Sequence, residues 1–532
     1  MNFKRLLLLG LTIVALIPIL FSLLASLNQP QVQANLQLYE TNLVLQVTEF
    51  NPDILTDTDN TLNSQLAEFR DVLLGKDPYL NAQKQYQEAL GASQKNLDLL
   101  EKQLDKLSIS LLKKDVDKSP NFSSPQITNS SEIQQLKKQM DAEKEIIAET
   151  TLKLGIIQAH RGKVETAITA WKNLLTSLKA QENSTPLIKL SQVLIELWQP
   201  SPQLSSEPGS LIAKNLQGWF RYRTLKQLYQ VQKNQPQLSI LQQQEQAIAQ
   251  EAIYKLLLIG TLPVLGGIVG VGLFLFLLVQ FFVRGDRALL SINKTLAWET
   301  PWNVETIWQV LIAGFFFVGQ VALPLLFSFV GYNAANLNLR GQAIYVLVSY
   351  VSMAISGLLI LYLSLKPFFP LPKDWFKFKP LSNWILWGIG GYLVALPLVL
   401  VVSLINQEFW DGQGGSNPLL FLALKAQDTF VLTIFFITAS VAAPIFEEIM
   451  FRGFLLPSLT RYMPLWGAIV ASSFVFAFAH LSLSEILPLT TLGMVLGFVY
   501  TRSRNLLASM LLHSLWNSGT LVSLFLLGSG AG

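Results

Sequence analysis

The chain contains no cysteine. That excludes disulfides, thiolate nucleophiles and cysteine metal sites, and it leaves the redox compartment open. Charge is scarce as well: 14% of the 532 residues are Asp, Glu, Lys or Arg, against about 25% in an ordinary soluble domain. The net charge of +4 is small. The basic residues fall between hydrophobic runs rather than in one stripe, so no nucleic-acid footprint is present. Histidine occurs three times. What the chain has instead is apolar length. Residues 6–27 and most of 256–528 form nearly continuous hydrophobic runs, whereas 28–255 is polar.

A bilayer core takes about 20 apolar residues of helix. Nine segments qualify, near 6–27, 256–283, 305–331, 343–365, 381–405, 428–449, 465–481, 485–501 and 506–528. Two of these, 465–481 and 485–501, are short enough to be tilted or partly re-entrant. The expected fold is therefore all-α: a polytopic transmembrane helix bundle plus an extracytoplasmic α-helical domain. Residues 1–27 read as an N-terminal anchor, uncleaved rather than a signal peptide, because no clear small-residue cleavage site follows. Residues 28–255 form the outer domain. Residues 256–304 hold the second span and a cytoplasmic linker, and 305–532 the main membrane domain. Arg284, Arg287 and Lys294 follow the second span, and Lys366, Lys373, Lys377 and Lys379 the fourth. Arg461 follows the sixth span, and Arg502 and Arg504 the eighth, while the opposite loops hold little beyond Arg340 and Lys425. Positive residues stay inside, so the N-terminus is expected in the cytoplasm and residues 28–255 outside.

In the outer domain, residues 62–113 carry apolar residues at three- and four-residue spacing, as a helical hairpin or short coiled coil does. A polar loop is expected at 117–132, with a second helix from near Ser131. Leu154, Gly155, Gly162, Ala167 and Trp171 are spaced as in the body of one tetratricopeptide repeat. No second copy follows, so a helical bundle with one repeat-like hairpin is expected rather than a stacked array. A protein partner is the functional alternative for 28–255. A Gln-rich helix from about 211 should run straight into the second span.

The chemistry lies in "APIFEEIMFRGFL", Ala443 to Leu455. Ionisable groups inside a membrane segment point to function by default. Glu448 and Arg452 are four residues apart on one helix face and can neutralise each other. Glu447 points about 100° away and is not held in that way. Pro444 and Gly453 make a helix break there plausible, and acids at an interfacial helix end are the bland alternative. Two of the three histidines add weight. His480 and His513 both lie in the last 55 residues, each inside an apolar run, with Asn517 one turn after His513 and Phe476 one turn before His480. His160 belongs to the polar domain and reads as structural. Counted from the turn "RYMP" at about 1.5 Å per residue, Glu447 and His480 lie at one level, roughly 25 Å away. His513 matches that level if the turn protrudes about 10 Å further than the next one.

A glutamate and a histidine facing one water can deprotonate it. A second histidine and an amide can donate to a developing oxyanion. This set suits hydrolysis of a peptide bond without a covalent intermediate. Two versions stay open. Glu447 and His480 activate water while His513 and Asn517 hold the oxyanion, with no cofactor; or Glu447, His480 and His513 ligate a zinc ion. No HExxH is present to support the second.

In order along neighbouring helices, "EEIMFR", "FAFAH" and "HSLWN" resemble the EExxxR, FxxxH and HxxxN motifs of the CAAX prenyl protease and bacteriocin-processing family, also called Abi or CPBP intramembrane endopeptidases. The resemblance covers roughly 380–528 and, at its widest, 305–528. It implies a helical membrane core whose site opens into the bilayer. By that resemblance Glu447 and His480 activate water, His513 and Asn517 stabilise the oxyanion, and Glu448 and Arg452 support the site. The family has been described as both metallo- and glutamic-type. Substrates would be membrane proteins or lipidated peptides in a lipid bilayer. The large outer domain departs from the family. The Gln-rich, Cys-free chain is similar to cyanobacterial members, which implies a bacterial plasma membrane or a thylakoid membrane. Two other classes compete. A transporter would use Glu, Arg and His as an ion path, but no inverted repeat is visible. A membrane scaffold of the same fold would need no hydrolysis. Rhomboid-type serine and presenilin-type aspartyl proteases find no support, since no GxSG precedes a histidine helix and no GxGD occurs.

Overall fold

The structure, a computed structural model, describes residues 3–27, 33–51, 60–116, 126–180, 185–202, 207–291, 297–332, 334, 337–410, 413–416, 420, 422–423 and 428–529. Among them there is no strand, and the fold is all-α as the periodicity implies. In chain order the helices are α1 (Phe3–Ser26), α2 (Gln33–Val47), α3 (Asn60–Leu74), α4 (Pro78–Val116), α5 (Gln126–His160), α6 (Val164–Lys179), α7 (Thr185–Trp198), α8 (Pro208–Asn215), α9 (Gly218–Val231) and α10 (Gln235–Arg284). They continue with α11 (Val304–Phe329), α12 (Leu339–Leu365), α13 (Trp384–Trp410), α14 (Thr429–Leu459), α15 (Leu465–Phe478), α16 (Ile486–Ser503) and α17 (Leu506–Gly528).

The chain divides into two compact units. One joins Met1–Gln33 to Leu258–Ser529; the other is Ala34–Leu257. Among the described residues of the first, eight helices are long and apolar enough to cross a bilayer, and α15 is a shorter apolar helix of 14 residues. The protein is an integral membrane protein. The ninth expected span is thus α15, which at about 1.5 Å per residue falls some 10 Å short of a 30 Å core. Helix α1 packs within this unit. Trp308 Nε1 donates to Thr12 Oγ1 at 2.9 Å, and Lys4 and Arg5 pair with Glu305 in the first turn of α11, where the helix dipole favours an acid. Helices α10 and α13 touch backbone to backbone: a Cβ on Gly270 would stand 1.8 Å from the Leu393 carbonyl oxygen. Small residues at four-residue spacing, Gly266 and Gly270, permit that approach.

Basic connections gather at one end of this bundle. Arg461 donates to the carbonyls of Thr300 and Trp302. Leu506 N donates to Lys377 O, and the Asn505 amide reaches Lys379 O and Ser382 Oγ. Trp302 anchors the end of α14, with Nε1 donating to Ser458 Oγ at 2.9 Å, and its ring lies 4.3 Å from that of Trp375. Indoles placed this way suit a membrane interface. Lys294 and Lys425 lie outside the described residues.

In the Ala34–Leu257 unit, α5 packs on α4 and α6. Trp171 is fully buried against α5, and a Cβ on Gly155 would meet its indole nitrogen at 2.3 Å. Gly162 turns the chain between α5 and α6 at φ +81°, a left-handed conformation suited to glycine. The α5 helix already begins at Gln126, and the part of the expected polar loop at 117–125 lies outside the described residues. The expected helix from 211 is corrected. Three helices stand there, with breaks at Gly218 and Lys233 (φ +54° and +53°), and the one that enters the membrane begins at Gln235.

Candidate active site

Helix α14 carries the two glutamates without breaking. Asp428 caps it by accepting from Phe430 N. Two stretches, Ile437–Ala442 and Glu448–Leu455, are wound as π-helix, a form frequent at functional sites; Val310–Ala322 of α11 is wound in the same way. The expected break at Pro444 is therefore corrected to a change of winding. Pro444 has no N–H, so one carbonyl of the preceding turn loses its donor. Ala439 O and Ser440 O, in that turn, accept from Asn517 Nδ2 at 2.7 Å and Ser514 Oγ at 2.6 Å. These two bonds tie α17 to α14.

The winding sends the adjacent acids to different neighbours. Glu448 is fully buried and accepts from Arg452 Nη1 at 2.8 Å, four residues on. The same carboxylate oxygen lies 2.9 Å from His513 Nδ1. A carboxylate only accepts, so Nδ1 carries a hydrogen and Nε2 is turned outward. Nε2 stands 3.9 Å from Glu447 Oε2. The other Glu447 oxygen accepts from Tyr350 Oη on α12 at 2.7 Å, while Oε2 has no partner among the described residues. Groups 3.9 Å apart are too far to hydrogen-bond directly, and both can reach one bridging water.

His480 lies in the turn just past the short helix α15. Its Nδ1 is 2.9 Å from Phe476 O. A carbonyl only accepts, so this nitrogen too bears hydrogen and Nε2 is the free one. The Phe476 ring sits among the charged groups. It lies 4.3 Å from the Arg452 guanidinium carbon, 4.9 Å from the His480 ring centre and 5.8 Å from that of His513. An aromatic face over a guanidinium with no water nearby is worth about 2 kcal/mol. Glu447, His480, His513 and Asn517 all line one cavity of about 420 Å³, with Tyr350 and Phe476.

A family profile for the type II CAAX prenyl endopeptidases, Rce1-like, matches residues 429–519, which begins at α14 and ends beyond Asn517. YxdF of Lactococcus lactis, a UPF0177 protein, is 30% identical over 147 residues, covering 25% of this chain and 76% of its own. The chain belongs to the Rce1-like CAAX endopeptidase family. A Bacillus subtilis protein named as a membrane peptidase, YdiL, is 26% identical over 210 residues, which is 38% of this chain and 81% of that protein. The membrane-embedded CAAX protease MroQ of Staphylococcus aureus is 24% identical over 224 residues, 40% and 87% of the two chains. No solved structure matches. The Rce1-like family is one of membrane proteases, and it accounts for the C-terminal part of the chain.

In this Rce1-like site the sequence reading missed Tyr350. Its stretch, "VSYVSM", is ordinary apolar helix, and nothing local marks it; only the packing of α12 on α14 brings the hydroxyl to Glu447. A metal would need three donors around one point. Among the described residues no three His, Asp or Glu side chains are so grouped. Glu447 and His513 form a pair, with no third donor grouped beside them among the described residues. The donor set as placed does not fit a zinc ion.

Proposed function

We propose that the protein is an intramembrane endopeptidase that hydrolyses peptide bonds of membrane-associated proteins or lipidated peptides with water activated by Glu447 and His480. One observation carries the reading: Glu447, whose Oε2 has no partner among the described residues, lines the same cavity as His480 and His513. Water donates one hydrogen to Glu447 and is aligned by the His480 lone pair. It attacks the carbonyl carbon as its proton passes to Glu447. His513 and Asn517 donate to the oxyanion. When the C–N bond breaks, Glu447 returns the proton to the leaving amine. For His513 the donor role needs hydrogen on Nε2 as well as on Nδ1.

We assign this catalysis to residues 305–532, with α1 and α10 as supporting helices. The basic end of the bundle we place in the cytoplasm. A comparison of membrane-protein termini between cells carrying wild type and Glu447→Ala tests the reading without a known substrate. Cleaved termini should vanish in the variant. If the termini are the same in both, hydrolysis is not what this site does.

A further inference from the structure

A second cavity of about 430 Å³ lies on another face of α16, away from the glutamates. Its walls are Phe276 and Leu277 of α10, Leu386 and Trp387 of α13, Trp466 of α15 and Phe498 of α16. Phe276 and Leu386 are exposed, so the groove opens to whatever surrounds the bundle, and around a membrane unit that is lipid. Gly390 forms part of the floor, and a Cβ built there meets no atom within 4 Å. Its neighbour Gly391 is packed hard, with Val499 and Leu512 within 2.6 Å of such a Cβ. The small residue at 390 therefore borders open groove rather than a helix contact.

One end of the groove is polar. A smaller hollow shares Asn383 and Trp387 with it and adds Ser382, Ser503 and Arg502. Arg502 is only 9% exposed. One of its amino groups donates to Leu290 O at 2.6 Å, and its guanidinium lies 5.1 Å from the centre of the Phe498 ring. Its Nε and Nη1 have no partner among the described residues. A buried guanidinium with two idle donors costs free energy unless an anion takes them. This is also the basic end of the bundle. Arg504 is near, over the Trp298 ring, and Lys379 is linked to Asn505; Asp374 is taken by Lys377.

We propose that this groove binds an anionic phospholipid of the bilayer, with its phosphate on Arg502 and the Ser382–Asn383 and Ser503 edges, and one acyl chain along Trp387, Gly390 and Trp466. An oily trough ending at an unpaired guanidinium matches an acidic lipid and not a neutral one. The site is separate from the catalytic cavity and does not depend on hydrolysis there.

Titration of delipidated full-length protein in neutral detergent with acyl-brominated phosphatidylglycerol tests the site, because bromine quenches nearby tryptophan and Trp387 and Trp466 line the groove. Wild type should be quenched at about tenfold lower concentration by phosphatidylglycerol than by phosphatidylcholine, the size expected for a charge-assisted contact. Arg502→Gln should erase that preference. Gly390→Leu should weaken both lipids while leaving the melting temperature unchanged, so the test stands even if Arg502→Gln folds poorly. Equal quenching of wild type by the two lipids overturns the proposal, as does wild-type behaviour of Gly390→Leu. Displacement of phosphatidylglycerol by an equal concentration of inorganic phosphate also overturns it, because the ligand would then be a free anion.

Discussion

The buried Glu448–Arg452 pair offers the sharpest test of how the site is held. Both side chains are fully buried and meet at 2.8 Å. Two unit charges about 4 Å apart attract by about 4 kcal/mol at an effective dielectric of 20. Removing one partner strands the other charge, which costs about 3–5 kcal/mol. Arg452→Met keeps the methylenes and a sulfur against Phe476, worth about 0.3–1.5 kcal/mol, so most of the loss should be electrostatic. Glu448→Leu strands Arg452 in the same way. The double variant Glu448→Leu/Arg452→Met removes both charges and should recover the stability to within about 1–3 kcal/mol of wild type, the remainder being the buried His513 Nδ1–H left without its acceptor. It should recover none of the activity, because His513 Nδ1 has then lost the carboxylate that holds it. A loss of at least about 100-fold is expected from a mispositioned catalytic imidazole. Equilibrium unfolding in mixed detergent gives the cycle, and cleavage of a peptide taken from the termini comparison gives the rate. Single variants within 1 kcal/mol of wild type, or a double variant with the summed loss of both, would refute the buried-pair reasoning. An active double variant would remove Glu448 from the positioning of His513.

Other expectations are more direct. Tyr350→Phe deletes one hydrogen bond to Glu447 and preserves the ring, so kcat should fall about 10- to 100-fold with stability changed by about 1 kcal/mol or less; a rate within twofold of wild type would show that the hydroxyl does not position the carboxylate. Cleavage should survive exhaustive chelation, since among the described residues no three donors are grouped closely enough to hold one ion, and loss with zinc-specific rescue would reverse that reading. In the polar unit, burial, then Arg223 and Lys226, lower the His160 pKa to about 4. The unfolded chain takes up that proton near 6.5, so stability is fully present above 6.5 and is lost as pH falls toward 4. The melting temperature of the unit should drop across that window, and His160→Gln should flatten the slope. Gly155→Leu would drive atoms into Trp171 and should destabilise the same unit by about 1–3 kcal/mol or more.

Much was legible in the chain alone because the bilayer is an exacting solvent. A helix in hydrocarbon must satisfy its own backbone and show apolar side chains to lipid, so the spans, the all-α class and the exceptional cost of Glu447, Glu448, Arg452, His480 and His513 can be read from composition and spacing. The i,i+4 pairing of Glu448 with Arg452 is likewise local geometry. What local spacing could not decide was which groups answer the remaining atoms. Tyr350 lies 97 residues from Glu447, in a segment with no motif. The partners that Asn517 and Ser514 find are backbone carbonyls of α14, which hydropathy does not record. Arg502 looked like one more cytoplasmic charge until packing buried it at the end of an apolar trough. In each case the sequence specifies a residue's chemistry and its place on a helix, while the direction in which that helix is turned, and therefore what its side chain touches, depends on contacts between segments far apart in the chain.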